Sequence, residues 1–200
     1  MNEPTRGLVP RLRFPEFREV GEWEQKQLVK IGETINGLSG KSADDFGEGQ
    51  PFVTYKQVFD SAWIDFAKCG KVDIAPDEKQ NVLLVGDVLF TTSSETPEEV
   101  GFASVVLNPP QELTYLNSFC FAFRPNGLLT LLAAFSCYLF RSPIYRKSVV
   151  KLAQGSTRFN ISKHAFLKLK LPIPSEKEQQ KIAACLSSLD ALIAAQADKL

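Results

Sequence analysis

One loop of the sequence combines the residue types that bind a phosphate group. It reads Gly155-Ser156-Thr157-Arg158, and Lys163 follows shortly after it. Phosphate oxygens accept hydrogen bonds from hydroxyl groups, from lysine or arginine and from free backbone N–H groups, and a glycine lets the backbone approach closely. Arginine can also donate two parallel hydrogen bonds to the edge of a guanine. We therefore predict phosphate contacts from Ser156, Thr157, Arg158 and Lys163. The alternative is a structural turn that joins a helix to a strand.

A second candidate phosphate loop is Gly40-Lys41-Ser42, which lies in a turn-rich segment. Its glycine, ammonium group and hydroxyl repeat the same chemistry on a smaller scale. We predict a phosphate contact from Lys41, although a plain structural turn is slightly favoured here.

Two polar segments follow strand-like runs and carry the side chains that read base edges. Such side chains combine hydrogen-bond donors and acceptors, and loops at strand ends commonly hold functional residues. The first segment is Tyr55, Lys56 and Gln57, and the second is Thr92, Ser93 and Ser94. We predict base contacts from both segments and from Asn160. The neighbouring Glu95, Glu98 and Glu99 repel phosphates, so they must face away from DNA or toward cytosine amino groups.

Motifs that resemble catalytic sites each lack a necessary part. The segment 108–111 (Asn-Pro-Pro-Gln) lacks the aromatic residue that adenine methyltransferases stack on a flipped base. Asp77 and Glu78 are adjacent and point apart, whereas Mg²⁺ requires carboxylates from neighbouring strands. His164 has no partner set up as a proton relay. The cysteines are too scattered for a zinc site and are expected to be reduced: Cys69, Cys120, Cys137 and Cys185. We therefore predict no catalytic residue, no metal and no cofactor.

The net charge is zero, but the charges are unevenly distributed. Residues 141–170 include eight basic side chains and no acidic one, whereas 80–123 include five acidic side chains and no basic one. A basic stretch of this size attracts a polyanion locally, because screening acts over about 10 Å at moderate salt. The alternative is a solvated surface that the acidic stretch balances in space. Charge alone favours neither interpretation.

The hydrophobic pattern predicts an α+β fold. A content of 44% hydrophobic and 23% charged residues is typical of globular proteins, and no segment resembles a signal peptide or a membrane span. Residues 11–17 are expected to form an extended arm. The patterns predict strands over 51–59, 82–84, 87–92, 103–107, 118–124 and 165–174, and helices over 128–140 and 144–153. The alternating Phe119, Phe121 and Phe123 are expected in the core.

The last 25 residues predict a long helix that needs a partner. Ser175 and Glu178 have the spacing of a capping box. The apolar positions that follow are spaced as in a coiled-coil seam, and they are Ile182, Leu186, Leu189, Ile193 and Leu200. A helix over 176–200 is about 37 Å long, which exceeds the width of a small domain. The alternative is an ordinary helix packed on its own domain.

Four segments, taken in order, resemble the specificity subunits of type I restriction-modification enzymes. They are the opening 9–17 with Trp23-Glu24, the segment 92–101, the loop 152–161, and 171–183 with Leu189-Asp190. The resemblance covers essentially the whole chain. It implies a non-catalytic DNA target recognition domain over 1–174 and a spacer or dimerisation helix over 175–200. Because a full subunit carries two such domains, the chain is either a half-subunit or, as the uncapped Leu200 favours, a fragment.

The resemblance also implies the partners. These are double-stranded DNA, the methyltransferase (modification) subunit and, through it, the restriction subunit, together with a second recognition domain or a second copy of the chain bound through the C-terminal helix. The expected location is the cytoplasm, with no membrane contact. An alternative function is a protein–protein assembly module of the same complex with little DNA binding of its own.

Overall fold

The computed structural model describes residues 7–197. The strands are β1 (Glu24–Gln27), β2 (Gly32–Asn36), β3 (Phe46–Val53), β4 (Gly70–Val72), β5 (Val88–Thr91), β6 (Ser93–Ser94), β7 (Ala103–Val105), β8 (Tyr115–Leu116), β9 (Cys120–Pro125), β10 (Phe159–Asn160) and β11 (Lys170–Ile173). The helices are α1 (Leu28–Ile31), α2 (Tyr55–Asp60), α3 (Ala133–Leu139), α4 (Pro143–Val149), α5 (Lys163–Leu167) and α6 (Glu176–Ala197). The predicted α+β class is confirmed.

A four-stranded antiparallel sheet, in the order β2-β9-β5-β7, forms the centre of the domain. Every residue of β5 is buried, because both faces of this strand are covered. Phe90 of β5 packs its ring against Phe121 at 5.3 Å and against Phe166 of α5 at 4.7 Å between centroids. The core is therefore a cluster of aromatic rings between the sheet and the helices that follow it in sequence.

Smaller sheets surround this centre. Strand β3 pairs with β4 and β8, β1 pairs with β11, and β6 pairs with β10. The last two pairings join distant parts of the chain. Two-residue strands such as β6 and β10 carry too little alternation to be recognised from sequence.

Some predicted elements have different types or bounds. The predicted strand 51–59 ends at Val53, because the Thr54 hydroxyl accepts a hydrogen bond from the Gln57 backbone N–H at 3.3 Å and caps α2. The predicted strand 165–174 begins only at Lys170, since the preceding residues form α5 and bury Phe166 in the core. Residues 82–84 form no strand, and the predicted helix 128–140 begins at Ala133. The segment 11–17 includes a 3-10 turn over Pro15–Phe17.

The prediction that Phe119 lies in the core is wrong. Phe121 and Phe123 are fully buried, whereas Phe119 is 58% exposed. Strand β9 begins one residue later, at Cys120, so Phe119 belongs to the turn before the strand. Its backbone N–H bonds to the Asn117 side chain at 2.9 Å, which keeps the ring at the surface.

The described part of α6 is about 33 Å long. The Ser175 hydroxyl accepts from the Glu178 N–H at 3.4 Å, but the reciprocal half of the predicted capping box is absent. The Glu178 carboxylate is instead buried against Arg13 and Trp23, whose Nε1 donates to it at 3.0 Å. Tertiary contacts thus replace the local cap.

The two halves of α6 differ in their surroundings. Ile182 and Leu186 are half-buried, whereas Leu189 is 49% and Ile193 is 68% exposed. The expectation of packing on its own domain therefore holds only for the first half of the helix. Leu200 lies outside the described residues.

Candidate nucleic-acid interface

The pairing of β6 with β10 brings two predicted binding segments together. Phe159 lies opposite Ser94, and Asn160 lies opposite Ser93. The Ile161 N–H continues the pairing by donating to the Thr92 carbonyl at 3.0 Å. The segment 92–94 and the loop 155–160 are 60 residues apart in sequence but share one edge of the domain.

Backbone geometry shapes the loop that precedes β10. Gln154 and Asn160 exchange two backbone hydrogen bonds of 2.9 Å across its base. Gly155 has a φ of +134°, and a Cβ on this residue would lie 2.1 Å from the Arg158 carbonyl oxygen. Glycine is therefore required, both for the conformation and for the close approach. As a result Ser156, Thr157 and Arg158 are exposed.

Tyr55 joins the same edge from α2. Its hydroxyl donates to the Ser93 carbonyl at 2.6 Å, and burial raises the pKa of the Tyr55 hydroxyl, so the group remains a donor at neutral pH. Lys56 instead forms an exposed ion pair with Asp60 on its own helix. Gln57 is buried, and its Oε1 accepts from the Asp65 N–H at 2.8 Å. Of this predicted segment, only Tyr55 reaches the edge.

A cavity of about 370 Å³ opens between these segments. Tyr55, Ser93, Ser94 and Arg158 line it, so four of the predicted site residues share one concave surface. Thr92 and Asn160 belong to the segments that flank the cavity.

The cavity also contains residues that the predicted site did not include. Two are aromatic, Phe59 and Phe119, and two are acidic, Glu95 and Glu99. The Ser94 hydroxyl donates to Glu99 at 3.0 Å. No sequence signal distinguishes Phe119 from the buried Phe121 and Phe123, with which it alternates.

The two predicted phosphate-binding lysines lie in different settings. Lys163 is half-buried, and its ammonium group donates to the Asn36 side chain at the end of β2. Lys41 is 8% exposed at its side chain and pairs with Glu78 at 2.5 Å, which raises the pKa of Lys41. The structure does not bring Lys41 to the cavity, because its charge is already compensated by Glu78.

The basic stretch 141–170 does not form a uniform cationic surface. Arg141 donates to the backbone carbonyls of Ala103 at 2.7 Å and Ser61 at 2.6 Å, and Arg146 donates to Val100 at 2.8 Å. Burial lowers the pKa of both guanidinium groups. These two arginines hold the backbone together, so their guanidinium groups are already engaged by backbone carbonyls. Arg158, by contrast, is exposed and forms no ion pair within residues 7–197.

No helix within residues 7–197 is long and apolar enough to cross a membrane. Within the described range, no three His, Cys, Asp or Glu side chains are grouped so that they could hold a metal ion. Burial raises the pKa of the Cys69 and Cys137 thiols to about 11, so both are protonated at neutral pH.

Polar loops presented at the β6–β10 pair, together with a long helix whose second half is exposed, define a recognition domain carried on a helix. The chain belongs to the type I restriction modification DNA specificity domain family, whose model matches residues 21–200. The predicted family is thereby confirmed.

Individual relatives agree with this assignment. The type I restriction enzyme MjaIX specificity subunit of Methanocaldococcus jannaschii is 27% identical over 177 residues, which is 86% of this chain and 39% of that protein. The HsdS subunit of Thermoanaerobacter tengcongensis is 23% identical, with a TM-score of 0.58 over 94% of this chain and 41% of that subunit. A structure that describes complex assembly of the type I system has a TM-score of 0.61 at 22% identity, over 95% of this chain and 42% of that one. The chain therefore spans about two-fifths of the length of these relatives, and the structures show a shared fold.

Proposed function

We propose that this domain reads a short sequence in double-stranded DNA as the non-catalytic specificity component of a type I restriction-modification complex. In this proposal residues 1–174 form the target recognition domain and residues 175–200 form the spacer helix. Membership of the specificity domain family supports DNA recognition over an assembly module with little DNA binding.

The observation that carries the proposal is the pairing of β6 with β10. It places an exposed arginine and two hydroxyl residues of the loop 155–158 beside the serines at 93–94. The first group matches the chemistry of phosphate contacts, and the second matches mixed donor–acceptor readout of base edges. Both kinds of contact are required at one surface, because phosphate contacts position a protein on DNA and base contacts specify the sequence.

The roles follow from these placements. Ser156, Thr157 and Lys163 contact the DNA backbone, and the Arg158 guanidinium group contacts a phosphate or the edge of a guanine. The base-contact group consists of Tyr55, Thr92, Ser93, Ser94 and Asn160. Lys41 and Lys56 are left out of the contact surface, since they pair with Glu78 and Asp60. Gln57 is also left out, because it is buried.

The exposed half of α6 supports a role in assembly. Leu189, Leu192 and Ile193 present apolar side chains to solvent in the described part of the helix. In the proposal this surface pairs with a second recognition domain or a second copy, and the complex includes the methyltransferase subunit and, through it, the restriction subunit. The complex acts in the cytoplasm, where its DNA substrate lies.

The test is binding to randomised duplex DNA, measured by fluorescence anisotropy across a salt series and followed by sequence selection. We expect affinity to fall steeply with salt and the selected pool to converge on a short sequence. Arg158→Ala should weaken binding, because it removes an exposed cation from the proposed DNA contact surface. Lys71→Ala is the matched control, because it removes an exposed cation from β4 that lines a different cavity.

Two results would contradict the proposal. One is an Arg158→Ala protein that binds DNA like the Lys71→Ala protein while both remain folded. The other is a folded wild-type protein that binds all sequences equally, which would indicate electrostatic attraction without readout.

A further inference from the structure

We propose that the cavity between β6 and the loop 155–158 reads a guanine–cytosine base pair. Arg158 donates to the guanine, and the acidic side of the cavity, with Glu95 at its rim, accepts from the cytosine amino group. This inference rests on the proposed function and specifies which base-pair edge the same site recognises.

The first argument is the pair of opposite charges that share the cavity without meeting. Arg158 and Glu95 both line it and both are exposed, yet neither forms an ion pair within residues 7–197. Glu99 lines the same cavity, and the Ser94 hydroxyl donates to it at 3.0 Å. The cavity therefore combines an arginine donor with carboxylate acceptors that do not pair with it.

This charge pattern excludes simpler ligands. A phosphate group that approaches Arg158 inside the cavity also approaches two carboxylates, which repel it. A cationic peptide that satisfies the carboxylates is repelled by Arg158. A base-pair edge satisfies both sides, because it is uncharged and presents a donor next to acceptors.

The arrangement of donors and acceptors selects one pair of bases. A guanidinium donates two parallel hydrogen bonds, and guanine presents two adjacent acceptors, O6 and N7, in the major groove. Cytosine presents its N4 amino group beside them, and a carboxylate is a natural acceptor for it. In an adenine–thymine pair the adenine amino group lies between the two acceptors, so one guanidinium group cannot donate to both of them.

Two further features of the wall fit an aromatic base. Phe119 keeps 58% of its surface exposed at the cavity, and a base edge that enters would cover part of this apolar area. Ser93 also lines the cavity, although only 8% of the residue is exposed, and it adds a hydroxyl residue to the lining.

The experiment compares selected sequences for the wild type, Glu95→Ala, Arg158→Ala and Glu98→Ala proteins. Glu98 is the matched control, because it is an exposed acid of the same loop that does not line the cavity. We expect a guanine–cytosine pair at one position of the wild-type sequence. Glu95→Ala should relax the preference at that position by about tenfold, whereas Glu98→Ala should leave the preference intact and raise affinity for all sequences alike. The Arg158→Ala protein should lose the preference at the same position and should bind DNA more weakly.

The outcomes separate this inference from the proposed function. If the wild type selects a sequence but Glu95→Ala and Glu98→Ala change affinity alike at every position, the guanine–cytosine assignment is overturned and DNA recognition stands. If Arg158→Ala weakens all sequences equally, Arg158 is a phosphate contact and the assignment is again overturned. A wild type that selects no sequence would overturn the proposed function itself.

Discussion

Arg13 and Glu178 form a bidentate ion pair, although 165 positions separate them in the sequence. Arg13 Nε donates to Glu178 Oε1 at 2.7 Å, and its Nη2 donates to Oε2 at 2.8 Å. The two side chains are only 6% and 1% exposed. The pair ties the arm before β1 to the first turn of α6, so it sets where the long helix leaves the domain.

Removing one partner of this pair should destabilise the domain strongly. Arg13→Ala leaves the Glu178 carboxylate buried and without its partner charge, which typically costs about 3–5 kcal/mol of the free energy of unfolding. Urea denaturation followed by fluorescence measures the change. Arg11→Ala, which removes an exposed arginine of the same arm, should change stability by less than about 0.5 kcal/mol. Equal effects of the two substitutions would show that the buried pair contributes nothing specific.

The same pair predicts how stability depends on pH. Burial alone raises the pKa of Glu178, but the hydrogen bonds from Arg13 and Trp23 outweigh it and hold the pKa below its usual value. A lowered folded-state pKa stabilises the domain fully above the unfolded value of about 4.3 and loses that contribution as the pH falls through the folded value. The stability difference between the wild type and Glu178→Gln should therefore shrink as the pH drops below about 4.3. A difference that is constant from pH 7 to pH 3 would contradict this prediction.

Gly155 and Gly47 provide a test of the loop geometry. Both have positive φ, at +134° and +123°, but only at Gly155 would a Cβ meet another atom. Gly47→Ala should cost about 1 kcal/mol through its backbone conformation. Gly155→Ala adds a clash with the Arg158 carbonyl and should cost about 2–3 kcal/mol or rearrange the loop, and in either case it should weaken DNA binding. Thermal unfolding and anisotropy on both variants check this, and identical DNA affinities would refute it.

Substitution of two arginines of the basic stretch should affect the free energy of unfolding to different extents. Arg141→Ala removes donors to the Ala103 and Ser61 carbonyls and should lower the free energy of unfolding by about 2–4 kcal/mol. Arg158→Ala should leave stability within about 0.5 kcal/mol of the wild type, because the side chain is exposed. Denaturation curves measure the free energy of unfolding of both variants, and equal values would contradict this prediction.

The exposed apolar side chains of α6 should affect association more than folding. Leu192→Gln combined with Ile193→Gln should change the free energy of unfolding by less than about 1 kcal/mol, because both positions are 68% exposed. Light scattering should then show a mass of 22.2 kDa at concentrations where the wild type associates. Ser187→Ala is the control and should leave association unchanged, because this exposed residue lies about 120° or more around the helix from Leu189, Leu192 and Ile193.

Sequence reasoning selected the segments of the proposed interface but did not predict their arrangement. The loop 155–158 and the segment 92–94 were recognisable from residue types. Their adjacency depends on the β6–β10 pairing, which spans two residues on each strand and leaves no periodic signal.

Local patterns failed where distant contacts compete with them. The spacing of Ser175 and Glu178 predicts a capping box, yet Glu178 gains more from a buried arginine that is distant in sequence. Arg141 and Arg158 are identical in type and lie in one basic stretch, and only the tertiary structure shows that the first binds backbone carbonyls. The run 51–59 has the composition of a strand, but the Thr54 cap starts a helix within it.

The construction of the loop at 154–160 bears on how such a domain can change over evolutionary time. Main-chain hydrogen bonds between Gln154 and Asn160, and a glycine at 155, determine its path. Main-chain groups are common to all residue types, so this path is largely indifferent to the identities of residues 156–158. Mutation can therefore exchange the displayed side chains while the scaffold persists. In such a domain, a new target sequence is reachable through a few point substitutions, each passing through a folded intermediate.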